Sequence, residues 1–229
     1  LYEQNLPGEW AHWPLGKARG MAVHESQSLF VEKQIGRNPA FWRWALPLVD
    51  RHLGEDWSID DILPHVHHVE RGLIRVDADE VTYNLHVMIR FDLELALLEG
   101  SLAVRDLPDA WHARYQEDLG LHAPDDRDGV LQDVHWFGGW IGGAFQGYTL
   151  GNILGAQFFE VALKAQPEIP GEIAQGRFDL LRGWLTENLY QHGRKFTTSE
   201  LVTRVTGGAI QIQPYLKYLK TKYGALYTL

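Results

Sequence analysis

Between positions 81 and 98 the apolar residues Val81, Leu85, Met88, Phe91, Leu95 and Leu98 recur at steps of four or three, and Gly100 follows them. A period near 3.6 gathers such residues into one helical stripe, and a glycine just beyond it closes the last turn in the left-handed conformation. The spacing predicts a helix over 78–99. Similar signals fill the rest of the chain. A helical pattern over 16–36 is closed by a glycine, and Asn38-Pro39 opens another through Phe41, Trp44 and Leu48, with a kink expected at Pro47. Shorter helices are expected over 58–65 and, entered through Asp106, over 108–119; 125–129 reads as a polar turn. The remainder reads as helix over 153–165, 171–192, 199–205 and 213–223, with the sharpest break at Pro167 and Pro170. One strand candidate stands out, the short β-branched run Leu73-Ile74-Arg75-Val76 with glycine before it and acidic residues after it. Gly138, Gly139, Gly142, Gly143, Gly147 and Gly151 crowd one stretch, where either backbone packs closely or a loop approaches a ligand. With no internal repeat and no long linker, 1–229 is expected to form a single, mainly α unit with at most a small β element.

Composition narrows the classes. Thirty acidic residues against 21 basic ones give a net charge of −9, which argues against broad attraction to nucleic acid or anionic membranes. Without cysteine there is no disulfide framework and no thiolate metal site, so a metal would need histidine and carboxylate ligands. No window approaches a run of about 20 apolar residues, and a cytoplasmic origin fits best. Nine each of Trp, Tyr and Phe imply a core or cleft built from large side chains.

Three segments hold polar groups that a purely structural helix does not require: His24-Glu25-Ser26-Gln27-Ser28, Ile74-Arg75-Val76-Asp77-Ala78-Asp79, and Gly129-Val130-Leu131-Gln132-Asp133-Val134-His135-Trp136. Taken singly, each has an ordinary explanation. His-Glu on a helix is usually a solvated face, an Arg beside two Asp is usually a local ion pair with Asp77 or Asp79, and Gln-Asp-His is usually a cap. His65-Val66-His67-His68 offers alternating histidines on one face of an extended segment, but no third metal ligand is evident, and a local polar surface is the simpler reading.

Together, and in this order, the three segments resemble the His-Glu-Ser/Gly-Gln, Ile/Val-Arg-x-x-Ala/Ser-Asp and Gly-x-x-Gln-Asp-x-His-Trp motifs of the carboxypeptidase Taq family of zinc metallocarboxypeptidases. The runs 78–86, 106–108, 148–152 and 215–219 are similar to family sequence as well. The resemblance implies a zincin-like, neurolysin-like helical fold and removal of C-terminal residues from peptides by metal-activated water. By similarity Glu25 is a zinc ligand, Arg75 and His24 contact substrate, and His135 and Tyr148 stabilise the oxyanion. Gln132 and Asp133 orient His135. Physically, an Arg fork suits a C-terminal carboxylate, and an N–H donor with a phenol suits the charge that develops on a peptide carbonyl oxygen. The stretch Gly143-Ala144-Phe145-Gln146-Gly147, and Leu29 and Val31, depart from the family pattern.

The family's His-Glu-x-x-His helix, which carries two zinc ligands and the catalytic base, has no counterpart here; it continues as Ala-Leu-Tyr-Glu, and the chain opens Leu1-Tyr2-Glu3. The resemblance thus presents the chain as the C-terminal part of a larger catalytic domain, inactive and without bound zinc by itself, and prone to self-association. The implied partners are a peptide substrate and a second copy in a homodimer, with neither nucleic acid nor membrane. Two other readings stay open: a non-catalytic helical peptide-binding module, and a related endopeptidase that would tolerate an amidated C-terminus.

Overall fold

The structure of the protein is a computed structural model describing residues 1–54, 56–136 and 142–227. It resolves into two compact units, one of Leu1–His67 with Leu150–Leu229 and the other of His68–Thr149. Both are helical, and no strand occurs among the described residues. The 73–76 run does not extend: Arg75–Asp77 is a turn of 3-10 helix. Its backbone is held by the Gln132 side chain, whose oxygen accepts from the Arg75 N–H and whose amide donates to the Leu73 carbonyl, so no neighbouring strand is needed.

In the first unit, α1 (Met21–Leu29) continues as a π-helical run over Phe30–Gly36. The pattern over 16–36 therefore begins at Met21, and Pro14–Gly16 forms a separate 3-10 turn. Helix α2 (Pro39–Leu53) is capped by Asn38, whose side chain accepts the Ala40 N–H, and it continues past Pro47 to Gly54 at φ 73°. Helix α3 (Ile59–Val66) starts on a capping box between Ser58 and Asp61. His65 and Val66 lie within it, so 65–68 is not extended. His67 is buried and His68 faces Glu70 at 3.3 Å. Helices α4 (Tyr83–Glu99) and α5 (Leu107–Asp118) belong to the second unit. From Leu150 onward, α6 (Phe145–Ala165) returns the chain to the first. Then come α7 (Ile169–Ile173), α8 (Asp179–Asn188), α9 (Thr198–Thr206) and α10 (Gln213–Tyr227). Val23, Phe30, Leu154, Phe158, Leu185, Tyr190 and Leu201 are central to this unit's core.

Part of the glycine enrichment has a packing cause. A Cβ built at Gly151 would meet Leu29 Cδ1 at 2.9 Å and the carbonyl carbon and Cβ of Glu25 at 3.1 Å, and one at Gly155 would meet the Ser26 oxygen at 3.1 Å. Both glycines let α6 approach the helix that bears Glu25 more closely than any side chain would allow. Gly138 and Gly139 lie outside the described residues.

In the second unit α4 carries apolar residues on both its buried and its exposed face. The stripe Val81, Leu85, Met88, Phe91, Leu95 and Leu98 is exposed, whereas His86, Arg90 and Glu94 are buried beside Val87, Ile89 and Leu93. The helix starts at Tyr83 rather than 78, because Asp79 turns the backbone just before it by accepting from the N–H groups of Val81 and Thr82 and from the Thr82 hydroxyl. It ends at Gly100 with φ 74°. Trp111 and Tyr115 of α5 stack with ring centres 4.6 Å apart and share a core with Ile89, Leu93, Leu107, Leu119 and Val130.

Candidate active site

The polar centre of the second unit is built on the Asp133 carboxylate, of which 4% is exposed. Its Oδ2 accepts from Arg75 Nε at 2.6 Å and from Arg90 Nε at 2.8 Å, and its Oδ1 takes the Nδ1 of His135. Burial alone would raise the Asp133 pKa. The hydrogen bonds from Arg75 and His135, with the charges of Arg75 and Arg90, outweigh it and hold the group well below the usual carboxylate range. Asp133 therefore stays ionised between the two guanidiniums.

Gln132 completes the frame. Its oxygen accepts from the Arg75 backbone and from Arg90 Nη2 at 2.9 Å, while its amide donates to the carbonyls of Leu73 and Asp128. Arg90 is fully buried: its Nη1 donates to the His86 carbonyl and the Tyr115 hydroxyl, and its Cζ lies 4.6 Å from the Trp111 ring centre. The Tyr115 hydroxyl donates to the Leu73 carbonyl, so it can receive a proton but not give one at His86 Nδ1, 3.0 Å away. That geometry assigns the Nδ1–H tautomer to a neutral His86. Burial, then the charges of Arg90 and Arg75, push its pKa down from 6.5 to about 4.

Arg75, His135 and Tyr148 face one another. His135 Nε2 lies 2.9 Å from the Tyr148 hydroxyl, and Arg75 Cζ lies 5.0 Å from the Tyr148 ring centre. Arg75 Nη1 donates to the Tyr83 hydroxyl at 3.2 Å, and its Nη2 makes no hydrogen bond among the described residues. Nε and Nη1 are thus anchored, and Nη2 of this buried side chain is left as the donor to an anion. The local pairing expected between Arg75 and Asp77 or Asp79 does not occur, since the partner is Asp133 and the Asp79 oxygens are used by the turn before α4.

The structure thus gathers Arg75, Gln132, Asp133, His135 and Tyr148 into one cluster. Glu25 and His24 belong to the other unit. There, Glu25 Oε2 accepts from the Ser28 hydroxyl at 2.8 Å, and His24 Nε2 lies 3.3 Å from a Glu3 carboxylate oxygen, with its ring against Tyr2. The buried Ser26 and Gln27 are structural, bonding to the Val23 carbonyl and the Tyr190 hydroxyl respectively. Among the described residues no three His, Cys, Asp or Glu side chains converge as a metal site. The donors present do not fit a complete metal centre, since Glu25 is one carboxylate and a catalytic zinc takes three protein ligands.

Sequence reasoning passed over Arg90, Tyr83, His86 and Tyr115, which hold the cluster. A signal for part of it existed: His86, Arg90 and Glu94 recur every four residues, which marks a second, polar stripe on the same helix.

A family model described as carboxypeptidase Taq (M32) metallopeptidase matches residues 1–223. Among curated proteins, thermostable carboxypeptidase 1 of Thermus thermophilus is 46% identical over 232 residues, which cover 99% of this chain and 45% of that protein. Carboxypeptidase 1 of Bacillus subtilis is 36% identical, covering 100% and 46%. Among solved structures, the M32 carboxypeptidase of Deinococcus radiodurans R1 matches with a TM-score of 0.95 at 50% identity, over 100% of this chain and 46% of that one. The chain spans less than half the length of these relatives. With a match of this extent and the motif residues in place, the chain belongs to the carboxypeptidase Taq (M32) metallopeptidase family.

Proposed function

We propose that this chain forms the substrate-carboxylate and oxyanion side of a zinc-dependent metallocarboxypeptidase that removes C-terminal residues from peptides. The observation that carries the reading is Arg75, braced by Asp133 and Tyr83 through Nε and Nη1 and held beside the His135–Tyr148 pair. A peptide's terminal carboxylate bonds to Arg75 Nη2 in a charge-assisted hydrogen bond. His135, carrying a proton on each ring nitrogen, and Tyr148 then donate to the carbonyl oxygen of the last peptide bond, where negative charge develops. Asp133 fixes His135 through Nδ1 and so directs Nε2 outward, while Gln132 locks the turn that carries Arg75. Glu25 serves as one ligand of the zinc, completed by the two histidines of a family His-Glu-x-x-His motif that these 229 residues lack. His24 borders the substrate path.

No helix among the described residues is long and apolar enough to cross a membrane. A cytoplasmic setting, a peptide partner and a homodimer accord with this reading. The test joins the chain to the missing segment of a family-length protein. That enzyme should release single residues from N-blocked peptides, lose activity when the peptide's C-terminus is amidated, and show a KM raised at least tenfold in Arg75→Met with a smaller change in kcat. Equal cleavage of the amidated peptide would favour an endopeptidase. Absence of any cleavage, with peptide binding retained, would favour the non-catalytic module.

A further inference from the structure

A cleft of about 560 Å³ opens in the first unit between the π-helical run, α3, α6 and α10, and it contains none of the residues assigned to peptidase chemistry. Its wall includes the apolar side chains of Leu63, Phe159, Leu163 and Leu226. Lys33, Arg37, Lys217 and Lys222 also line it, against the single acid Glu160. In a chain with a net charge of −9, four basic side chains around one apolar recess form a local reversal of sign.

The cations are arranged rather than scattered. The Tyr218 hydroxyl donates to the Lys33 carbonyl at 3.1 Å and accepts from Lys222 Nζ at 3.1 Å, which ties α10 to the segment bearing Lys33 and Arg37. Glu32 beside the cleft meets both Lys33 and Arg37, and Glu160 meets Lys217 at 3.6 Å, so each carboxylate is already engaged and the balance stays positive. The volume falls within the range of small-molecule sites, whose usual form is an apolar lining with a few placed polar groups.

We propose that this cleft binds an amphipathic carboxylate, an anionic head on an apolar tail. The head pairs with the basic side chains of the wall, Lys217 and Lys222 of α10 among them, and the tail lies along Leu63, Phe159, Leu163 and Leu226. An uncharged tail alone would forgo the electrostatic contribution, and a cationic head would be repelled.

Isothermal titration of the 229-residue chain with decanoate, below its micelle concentration, tests the assignment. Saturable one-to-one binding is expected, at least tenfold tighter than decyltrimethylammonium or decanol and at least tenfold weakened in the double variant Lys217→Glu/Lys222→Glu. Leu226→Asp, at an exposed position of the wall, should weaken it as well. Equal binding of the three amphiphiles, no saturable binding, or full affinity in the double variant would each overturn the proposal. Tighter binding of an N-acetylated apolar peptide acid than of decanoate would overturn it in favour of a peptide site. Circular dichroism checks that the variants fold. If the double variant does not, the wild-type chain decides through salt: decanoate affinity unchanged between low and high NaCl would overturn the proposal. Loss of peptidase activity in the family-length enzyme bears on none of these outcomes.

Discussion

Arg75 Nε donates to Asp133 Oδ2 across 2.6 Å although the two residues are 58 positions apart in sequence, and the same oxygen receives Arg90. Asp133→Asn should therefore do more than remove one ion pair. Asparagine keeps one acceptor oxygen for four donors, the His135 backbone N–H among them, and aims an N–H₂ group at a guanidinium or at His135. The expected loss is about 3 kcal/mol in urea unfolding, typical of breaking a buried pair on one side. Nitrogen-15 NMR should show a protected Nδ1–H on His135 in the wild type and its loss in the variant.

Acid should destabilise the second unit through His86. A folded pKa of about 4 against an ordinary 6.5 means that the unfolded chain binds the extra proton first as pH falls. Stability should thus decline between pH 6.5 and about 4 and level off below, with an upper bound of about 3 kcal/mol from this group. His192, pushed down by burial and by Arg204 and Lys195, adds a slope of the same sign. Thermal melts across that interval should show the decline, and His86→Gln should flatten it. An unchanged slope in the variant would contradict the neutral assignment.

Close packing of α6 on α1 predicts that Gly151→Val lowers the melting temperature by several degrees, an overpacking cost of about 1–3 kcal/mol. The added side chain meets Leu29 and the Glu25 backbone and would displace the nominated metal ligand. Gly171→Ala, at a position with open space around it, is the matched control and should leave the melt nearly unchanged.

Zinc should dialyse away from the isolated chain. One carboxylate offers too few donors for the ion, and no group of three His, Cys, Asp or Glu side chains that could hold it forms among the described residues. Metal analysis after dialysis should find well under one equivalent per chain; a stoichiometric, tightly held ion would refute the assignment of Glu25 as one ligand among several.

Much of the helical plan was legible because helices announce themselves locally. Asn38-Pro39 and Gly100 act on their own turn of backbone, and the structure places α2 and the end of α4 there. The expected strand at 73–76 failed because β-branched residues are only a weak preference, while the Gln132 side chain that fixes this segment comes from 57 residues away. The candidate cluster was legible only in its motif members. Arg90, which shares Asp133 with Arg75, resembles a solvent-facing residue when α4 is read by its hydrophobic period. His135 and Tyr148 could be nominated from pattern, but their 2.9 Å contact could not.

The two apolar faces of α4 bear on how the chain reaches its native state. Collapse guided by apolar contact alone does not choose between Leu85, Met88 and Leu95 on one side and Val87, Ile89 and Leu93 on the other, and the arrival of Asp133 and Gln132 at Arg90 favours the second. Early compact states should therefore include some that hold this helix rotated, and leaving them should limit refolding. Replacing Met88 and Leu95 with lysine removes the competing surface, so stopped-flow refolding should accelerate while equilibrium stability stays nearly constant. A polar ring assembled from distant parts of the sequence thereby acts as the arbiter of rotation for a helix whose own apolar residues allow either side.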